Sequence, residues 1–324
     1  MKSSLFQELS EAELSLIISR ALQTDVVSSR LLSGGMFNTT YLIETAEAGR
    51  VVLRVGPVNR HLLMPFEHHL MAAEKEVYAL CAQNGVPSSQ LLAADTTKTL
   101  LDRDYMMVRY IPGGAMSEIH LEPRDRARIC RDIGGAAAKL HQIKGSRFGR
   151  IVGAESGGDM SWSQCLFQEL LDWERVGVPA ALFTEEEHRE IRLLFQKAAP
   201  CLDEITEPRL VHTDLWLGNI LVRTDGKTPE FAAIIDADRA LWGDPMFEFS
   251  SIRWAYAEDS FWEGYGGRPP QSRQGDIRLA VYTLLNRLWN AYVYQKEYNQ
   301  PENAQRERAD ALRQAALLRG WLQP

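Results

Sequence analysis

His212, Asp214 and Asn219 stand at H-x-D-L-x-x-x-N spacing within VHTDLWLGNILV, and Asp236 closes the apolar run FAAIID seventeen residues after Asn219. Val, Ile and Leu on both sides of the first stretch read as buried strands, so the polar side chains gather where strands meet. Two strands joined by a tight loop would put Asp214 at the loop mouth and Asn219 at the entry of the return strand. Asp236, ending the following strand, can then face both. Two carboxylates and an amide oxygen form a hard-oxygen set. Such a set suits Mg²⁺ shared with substrate phosphates, because Mg²⁺ rarely receives a complete protein cage. Neither a two-histidine carboxylate motif nor a thiolate spacing accompanies it, which disfavours zinc and iron.

Elements must hold these groups in place. LSEAELSLIISRAL opens with Ser10 and Glu13 at capping-box spacing and puts Leu14, Ile17, Ile18 and Leu22 on one helix face. The strand-like runs DVVSSRLL, NTTYLIET and GRVVLRVG follow, then a helix over FEHHLMAAEKEVYALCAQNG that ends with Gly85 at C′. Two more strands, QLLAAD and YMMVRYI, lead to PGGAMS, the strongest linker signal in the chain. Beyond it the pattern is mostly helical, interrupted by the strands RLVHT, NILVR and FAAIID, with a second capping box at Thr184 and Glu187. The order predicts an α+β chain of two lobes, residues 1–110 rich in strands and residues 111–324 mainly helical, with the ligand cleft between them.

The H-x-D-L-x-x-x-N spacing matches the catalytic loop of kinases, in which the Asp takes the proton of the attacking hydroxyl and the Asn holds a metal ion. A kinase also needs a phosphate-covering loop between strands, and LLSGGMFNTTY supplies Ser33, Gly34 and Gly35. Glycine there lets backbone N–H groups approach phosphate oxygens. A cation on the third strand is needed next, and VVLRVG offers Arg54. An acid on the following helix should pair with it, and AAEKEVYAL offers Glu74 and Glu76.

On these motifs the chain resembles the aminoglycoside phosphotransferase family of small-molecule kinases, related to the choline and fructosamine kinases. The likeness runs through LLSGGMFNTTYLIE, KEVYALCAQNGVPSSQLL, MMVRYIPGG, IGGAAAKLH and VHTDLWLGNILV to AAIIDADRALWGDPMFEF, most of the chain. It implies a bilobal protein-kinase-like fold that moves the γ-phosphoryl of ATP or GTP to a hydroxyl of a small molecule. By position, Asp214 would be the base, Asn219 and Asp236 would bind Mg²⁺, and Ser33, Gly34 and Gly35 would cover the phosphates. Arg54 would contact them while pairing with Glu76, which stands four residues before Leu80 as in the family's E-x-x-x-L pattern. Backbone groups at Val108, Arg109 and Tyr110 would receive the nucleobase. His212, and the turn of Gly243, Asp244 and Pro245, would be scaffold.

This chain departs from the pattern in three places. It lacks a full G-x-G-x-x-G, it carries Arg54 where lysine is the familiar residue, and it reads DAD where protein kinases have DFG. Without an APE motif, a protein substrate is not expected. The exchange at Arg54 leaves one alternative, a nucleotide-binding sensor of the same fold with impaired catalysis.

Composition excludes other classes. The 324 residues carry a net charge of −7, and no basic aromatic stripe points to nucleic acid. No apolar run is long enough to span a membrane, the N-terminus lacks an uninterrupted apolar core, and the four cysteines are scattered without CxxC spacing, so reduced thiols in the cytoplasm are expected. Residues 155–207 hold twelve Asp and Glu against four Lys and Arg, a local −8. It reads as a solvated acidic face or as an electrostatic funnel for a cationic acceptor. His61, His68 and His69 do not read as a metal set, since adjacent helix positions diverge. The aromatics Trp254, Tyr256, Phe261, Trp262 and Tyr265 read mainly as core.

Overall fold

The computed structural model describes residues 3–32, 35–153 and 159–323. Ser10 accepts the Glu13 N–H and Glu13 accepts the Ser10 N–H, which starts α1 (Glu11–Leu22) with the expected capping box. Strands β1 (Val26–Leu31), β2 (Thr39–Thr45), β3 (Gly49–Val55), β4 (Leu91–Asp95) and β5 (Tyr105–Arg109) form one antiparallel sheet in the order β1-β2-β3-β5-β4. Alternation along its strands builds two layers. Val51, Leu53, Val55, Tyr105 and Met107 pack with Leu14, Ile17 and Ile18 of α1. Met106 and Val108 pack instead with Met71 and Tyr78 of α2 (Leu70–Gln83), which covers the opposite face.

The helix expected from Phe66 begins at Leu70, after a 3-10 turn over Pro65–His69. Buried Glu67 holds that turn tight: one carboxylate oxygen accepts the Met64 N–H at 2.9 Å and the other accepts Arg239 at 2.6 Å. At the far end Gly85 lies at φ +64, in the C′ role its type allows.

Past β6 (Gly114–Ala115) the chain turns helical, with α3 (Pro123–Leu140), α4 (Trp162–Gly177) and α5 (Glu185–Leu202), and with short β7 (Gly149–Arg150) between the first two. Thr184 and Glu187 cap α5 as expected. Strands β8 (Arg209–Val211), β9 (Ile220–Arg223), β10 (Glu230–Ile234) and β11 (Leu241–Gly243) follow, then α6 (Glu248–Ser251), α7 (Asp259–Tyr265), α8 (Arg273–Tyr292) and α9 (Pro301–Trp321). A π-helical turn, Val293–Glu297, continues α8.

The simple hairpin anticipated around Asp214 does not form. β8 pairs with β11 in the sheet β7-β11-β8, and β9 pairs with β10 in the sheet β10-β9-β6. β8 is three residues long, and its one strand partner from the Asp236 side is the strand after that turn. The loop 212–219 therefore crosses between two small sheets, and the Asp236 turn lies at the same junction.

The acidic stretch is largely, though not fully, compensated by ion pairs. Seven of its carboxylates are ion-paired: Glu169 with Arg150, Glu187 with Arg308, Glu190 with Arg319, Glu204 with Arg278, Glu207 with Arg209 and Lys144, Asp172 with Arg175, and Glu174 with Arg192. Most of the cations come from distant segments, which composition in a window cannot register. Phe261 and Trp262 are buried and pack on Phe249, so the core reading of those aromatics holds, while Tyr256 remains exposed. No helix among the described residues is long and apolar enough to cross a membrane.

Candidate active site

Backbone anchors define the Asp214 loop. His212 donates from Nε2 to the Ile235 carbonyl at 2.9 Å and accepts the Asp214 N–H on Nδ1 at 3.3 Å. It thus ties this loop to the strand end that carries Asp236, the scaffold role expected of it. Its own N–H donates to Glu248 Oε2 at 2.8 Å, and His141 reaches the same oxygen at 3.4 Å. Glu248 is fully buried. Burial alone would raise its pKa, but the His141 hydrogen bond and the nearby His212 hold it below the usual range. Thr213 sits at φ +68, a conformation costly for a β-branched residue, and its hydroxyl donates to the Arg239 carbonyl at 3.0 Å. Backbone strain of this kind is common at functional sites.

Asn219 donates from Nδ2 to the Asp214 carbonyl at 2.8 Å and to Asp214 Oδ2 at 3.0 Å. Burial and the charge of Asp236 push the Asp214 carboxyl up to about 6, against the pull of Arg239, His212 and Asn219. A carboxylate in that range is a better proton acceptor than a solvated aspartate. Both nitrogen bonds of Asn219 serve Asp214, which leaves its amide oxygen as the group available to a cation.

Asp236 adopts φ +63 between β10 and β11, with its side chain 36% exposed. Its N–H donates to the Tyr78 hydroxyl at 3.2 Å, and Tyr78 donates to Glu74 Oε1 at 2.5 Å, so α2 is stitched to this turn. Arg54, between inward Leu53 and Val55, points to the α2 face. It binds Glu74 through Nη1 and Asp236 through Nη2, and Nη2 lies 3.7 Å from Asp238. Burial opposes the Arg54 charge, but Asp236 and Glu74 outweigh it and keep the guanidinium protonated.

The partner of Arg54 is therefore Glu74, and the pairing with Glu76 is corrected. Glu74, Val77, Tyr78 and Cys81 share the buried face of α2, whereas Glu76, two residues on, projects into solvent. Helical periodicity contained this signal; the E-x-x-x-L spacing overrode it. Glu74→Gln is expected to cost about 1–3 kcal/mol of stability, since Arg54 keeps Asp236 as a second partner. Glu76→Gln should stay within about 0.5 kcal/mol, and urea denaturation compares the two.

Of the phosphate-covering residues, Ser33 and Gly34 lie outside the described residues. Gly35 is exposed, and a Cβ on it would come 2.9 Å from the Asn38 carbonyl, so the loop turns tightly there. Val108 is buried against α2. The N–H groups of Arg109 and Tyr110 donate to the carbonyls of Gln90 and Arg50. Neither N–H is therefore free for a base, and the next N–H along the chain is that of Ile111. Trp216, two residues past Asp214, is half exposed and lies against Gly218, where a Cβ would meet the indole at 2.1 Å. Glu74, Asp236 and Asp238 form the one cluster of three possible metal-ligating side chains among the described residues, and the three histidines 61, 68 and 69 form none. Burial pushes the Cys81 thiol up to about 11 and those of Cys130 and Cys165 up to about 12, which argues against a thiolate nucleophile.

Behind the Asp214 loop, Arg239 pairs with Glu67, and Glu297 in the π turn is 0% exposed beside the Glu67 carboxyl. Burial and the nearby Glu67 carboxylate raise the Glu297 pKa well above the ordinary range, despite Arg239. The folded state thus holds this proton more tightly than the unfolded chain, and stability falls as pH rises above the unfolded glutamate value. Glu297→Gln is expected to raise the melting temperature at pH 8, with the gain shrinking towards pH 5, as calorimetry at both pH values would show.

A five-stranded antiparallel lobe and a helical lobe, with the Asp214 loop tied by His212 to the strand end that carries Asp236 and Arg54 bound to Asp236, define a kinase-like α+β fold. The chain belongs to the phosphotransferase enzyme family, which it matches over residues 28–268. No curated protein matches it by sequence. A candidate fructosamine-3-kinase from Thermobifida fusca YX-ER1 aligns with a TM-score of 0.69 at 15% identity, covering 94% of this chain and 98% of that one. The streptomycin–ATP complex of APH(2")-IIa aligns with a TM-score of 0.65 at 15% identity, covering 96% and 99%. The apo form of a thermostable mutant of aminoglycoside phosphotransferase APH(4)-Ia gives 0.62 at 19% identity, covering 94% and 97%. At these identities the likeness is one of fold.

Proposed function

We propose that this protein is a small-molecule kinase that moves the γ-phosphoryl of ATP or GTP to a hydroxyl acceptor in the cleft between residues 1–110 and 111–324. The observation that carries this reading is the Asp214 carboxyl. It is half-buried, raised to about 6, and aligned by the Asn219 amide on a loop whose backbone is fixed independently by His212 and Glu248. Asp214 would orient the acceptor hydroxyl and take its proton. Ser33, Gly34 and Gly35 would cover the phosphates, Arg54 would bind them bidentately, and the backbone at Val108–Tyr110 would meet the base.

Mg²⁺ fits the donor set, because the Asn219 amide oxygen and the part-exposed Asp236 carboxylate are hard oxygen ligands. When bound, Mg²⁺ supplies charge neutralisation on the phosphates. Phosphotransfer to aminoglycosides or amino sugars is the substrate class we favour, on family membership and on the streptomycin complex of a structural neighbour. The acidic stretch 155–207 lends little weight to a cationic acceptor, since seven of its twelve carboxylates are engaged in ion pairs.

Acceptor-dependent release of ADP or GDP tests the proposal across aminoglycosides, amino sugars, choline-like alcohols and sugar amines. A kinase shows turnover with at least one class. Nucleotide binding with no turnover on any of them, even water, would favour the sensor alternative.

A further inference from the structure

Glu74, Asp236 and Asp238 each offer an oxygen within 4.8 Å of the others. Three carboxylates so close repel one another. Burial pushes the Asp238 carboxyl well up, with Asp236 and Glu74 adding to it, and burial also raises Glu74. Arg54 is the cation among them, with one nitrogen on Glu74 and the other on Asp236. A second observation, separate from the spacing of the triad, is an unsatisfied oxygen on its innermost member. Glu74 Oε2 is buried without a hydrogen-bond partner, on a side chain only 1% exposed.

We propose that Arg54 is the built-in counter-ion of this triad, so that a divalent cation gains Asp236 only when nucleotide phosphates draw the guanidinium away. The inference rests on the reading of Asp236 as a metal ligand. A divalent ion arriving alone must displace a fork that serves two carboxylates at once. Phosphates change the balance, because they offer the same fork a bidentate anionic partner and bring ligands of their own. Arginine suits this double duty better than lysine, whose ammonium is a point charge on a shorter stem. The exchange that sets this chain apart from the familiar lysine thereby becomes a device that couples metal loading to nucleotide. The coupling is reciprocal, so metal should also tighten nucleotide binding through the same release.

The test is Mn²⁺ binding to the full chain without nucleotide, read from the electron paramagnetic resonance signal of the free ion. Arg54→Gln alone would strand a buried carboxylate, so the informative variants are Arg54→Gln with Glu74→Gln, which keeps a hydrogen-bonding partner for Tyr78, and Arg54→Lys, which keeps the charge. The double variant leaves the net local charge unchanged, but the cation it removes touches Asp236 directly while the carboxylate it removes stands further off, so Mn²⁺ is expected to bind about tenfold more tightly than to wild type. Arg54→Lys should fall between the two. Adding Asp236→Asn to the double variant should abolish the gain, which places it at this site. Wild-type affinity in both Arg54 variants would overturn the counter-ion. If wild type also binds no Mn²⁺ beside a non-hydrolysable nucleotide, the metal-ligand reading itself fails. Normal Mn²⁺–nucleotide binding with unchanged variants sinks only the coupling.

Discussion

Asp214→Ala is expected to lower turnover at least about a thousandfold, the upper part of what a positioned general base contributes. Nucleotide affinity should change by less than about threefold. The separation follows from how the loop is held. Its backbone is fixed by the His212, Thr213 and Glu248 bonds, none of which uses the Asp214 carboxylate. That carboxylate accepts only from Asn219 among the hydrogen bonds that hold this loop. The same substitution should stabilise the protein at neutral pH. Burial raises the folded Asp214 pKa to about 6, above the 3.8 of a free aspartate, so its ionised form opposes folding. The opposition is full above pH 6 and vanishes below about 4. A melting temperature that rises at pH 7.5 and not at pH 4, together with lost turnover, is the signature of a catalytic residue kept at a cost in stability. Normal turnover in the variant would remove Asp214 from the mechanism.

The Asp214 loop was legible because its spacing is local: H-x-D-L-x-x-x-N and the later Asp236 survive any rearrangement of the strands around them. Both capping boxes and the C′ glycine at Gly85 were legible for the same reason, each being a contact within one turn. What escaped depended on partners far along the chain. Glu248 lies thirty-six residues from His212, whose N–H it accepts, and nothing near either residue marks the other. Glu297 lies far from Glu67 and Arg239, and a π-helical turn has no simple sequence period. The choice of Glu76 over Glu74 was a failure of weighting, since the buried face of α2 could be read from Val77, Tyr78 and Cys81. The acidic stretch misled in the opposite way. Its composition is real, but much of its charge is offset by arginines from α8, α9 and the strands, so a local charge count overstated the surface potential.

Gly134→Ala is the second substitution expected to have a large effect, and the sequence IGGAAAKLH hides why. A Cβ on Gly134 would lie 2.0 Å from the Phe261 carbonyl oxygen and 2.9 Å from the Tyr265 nitrogen. One on Gly264 would lie 1.9 Å from the Arg131 carbonyl oxygen. Helices α3 and α7 thus cross backbone to backbone, and no rotamer can relieve an added methyl. The helices would have to part by about 1 Å or more, opening the core of Ile133, Ala137, Phe249, Phe261 and Trp262. Alanine is a better helix former than glycine by about 1 kcal/mol, so propensity alone predicts stabilisation. The clash should win, with a net loss of about 2–3 kcal/mol or more. Gly135→Ala supplies the control, because its nearest contact is an ordinary 3.7 Å to the Gly264 carbonyl oxygen. There propensity should prevail, leaving stability unchanged or slightly raised. Urea unfolding of the two variants decides the matter, and equal stability would mean the helices are not in backbone contact. Turnover should follow stability in Gly134→Ala. Phe249 packs beneath α7 and adjoins Glu248, whose carboxylate holds the His212 N–H, so prying the helices apart loosens the loop that carries Asp214.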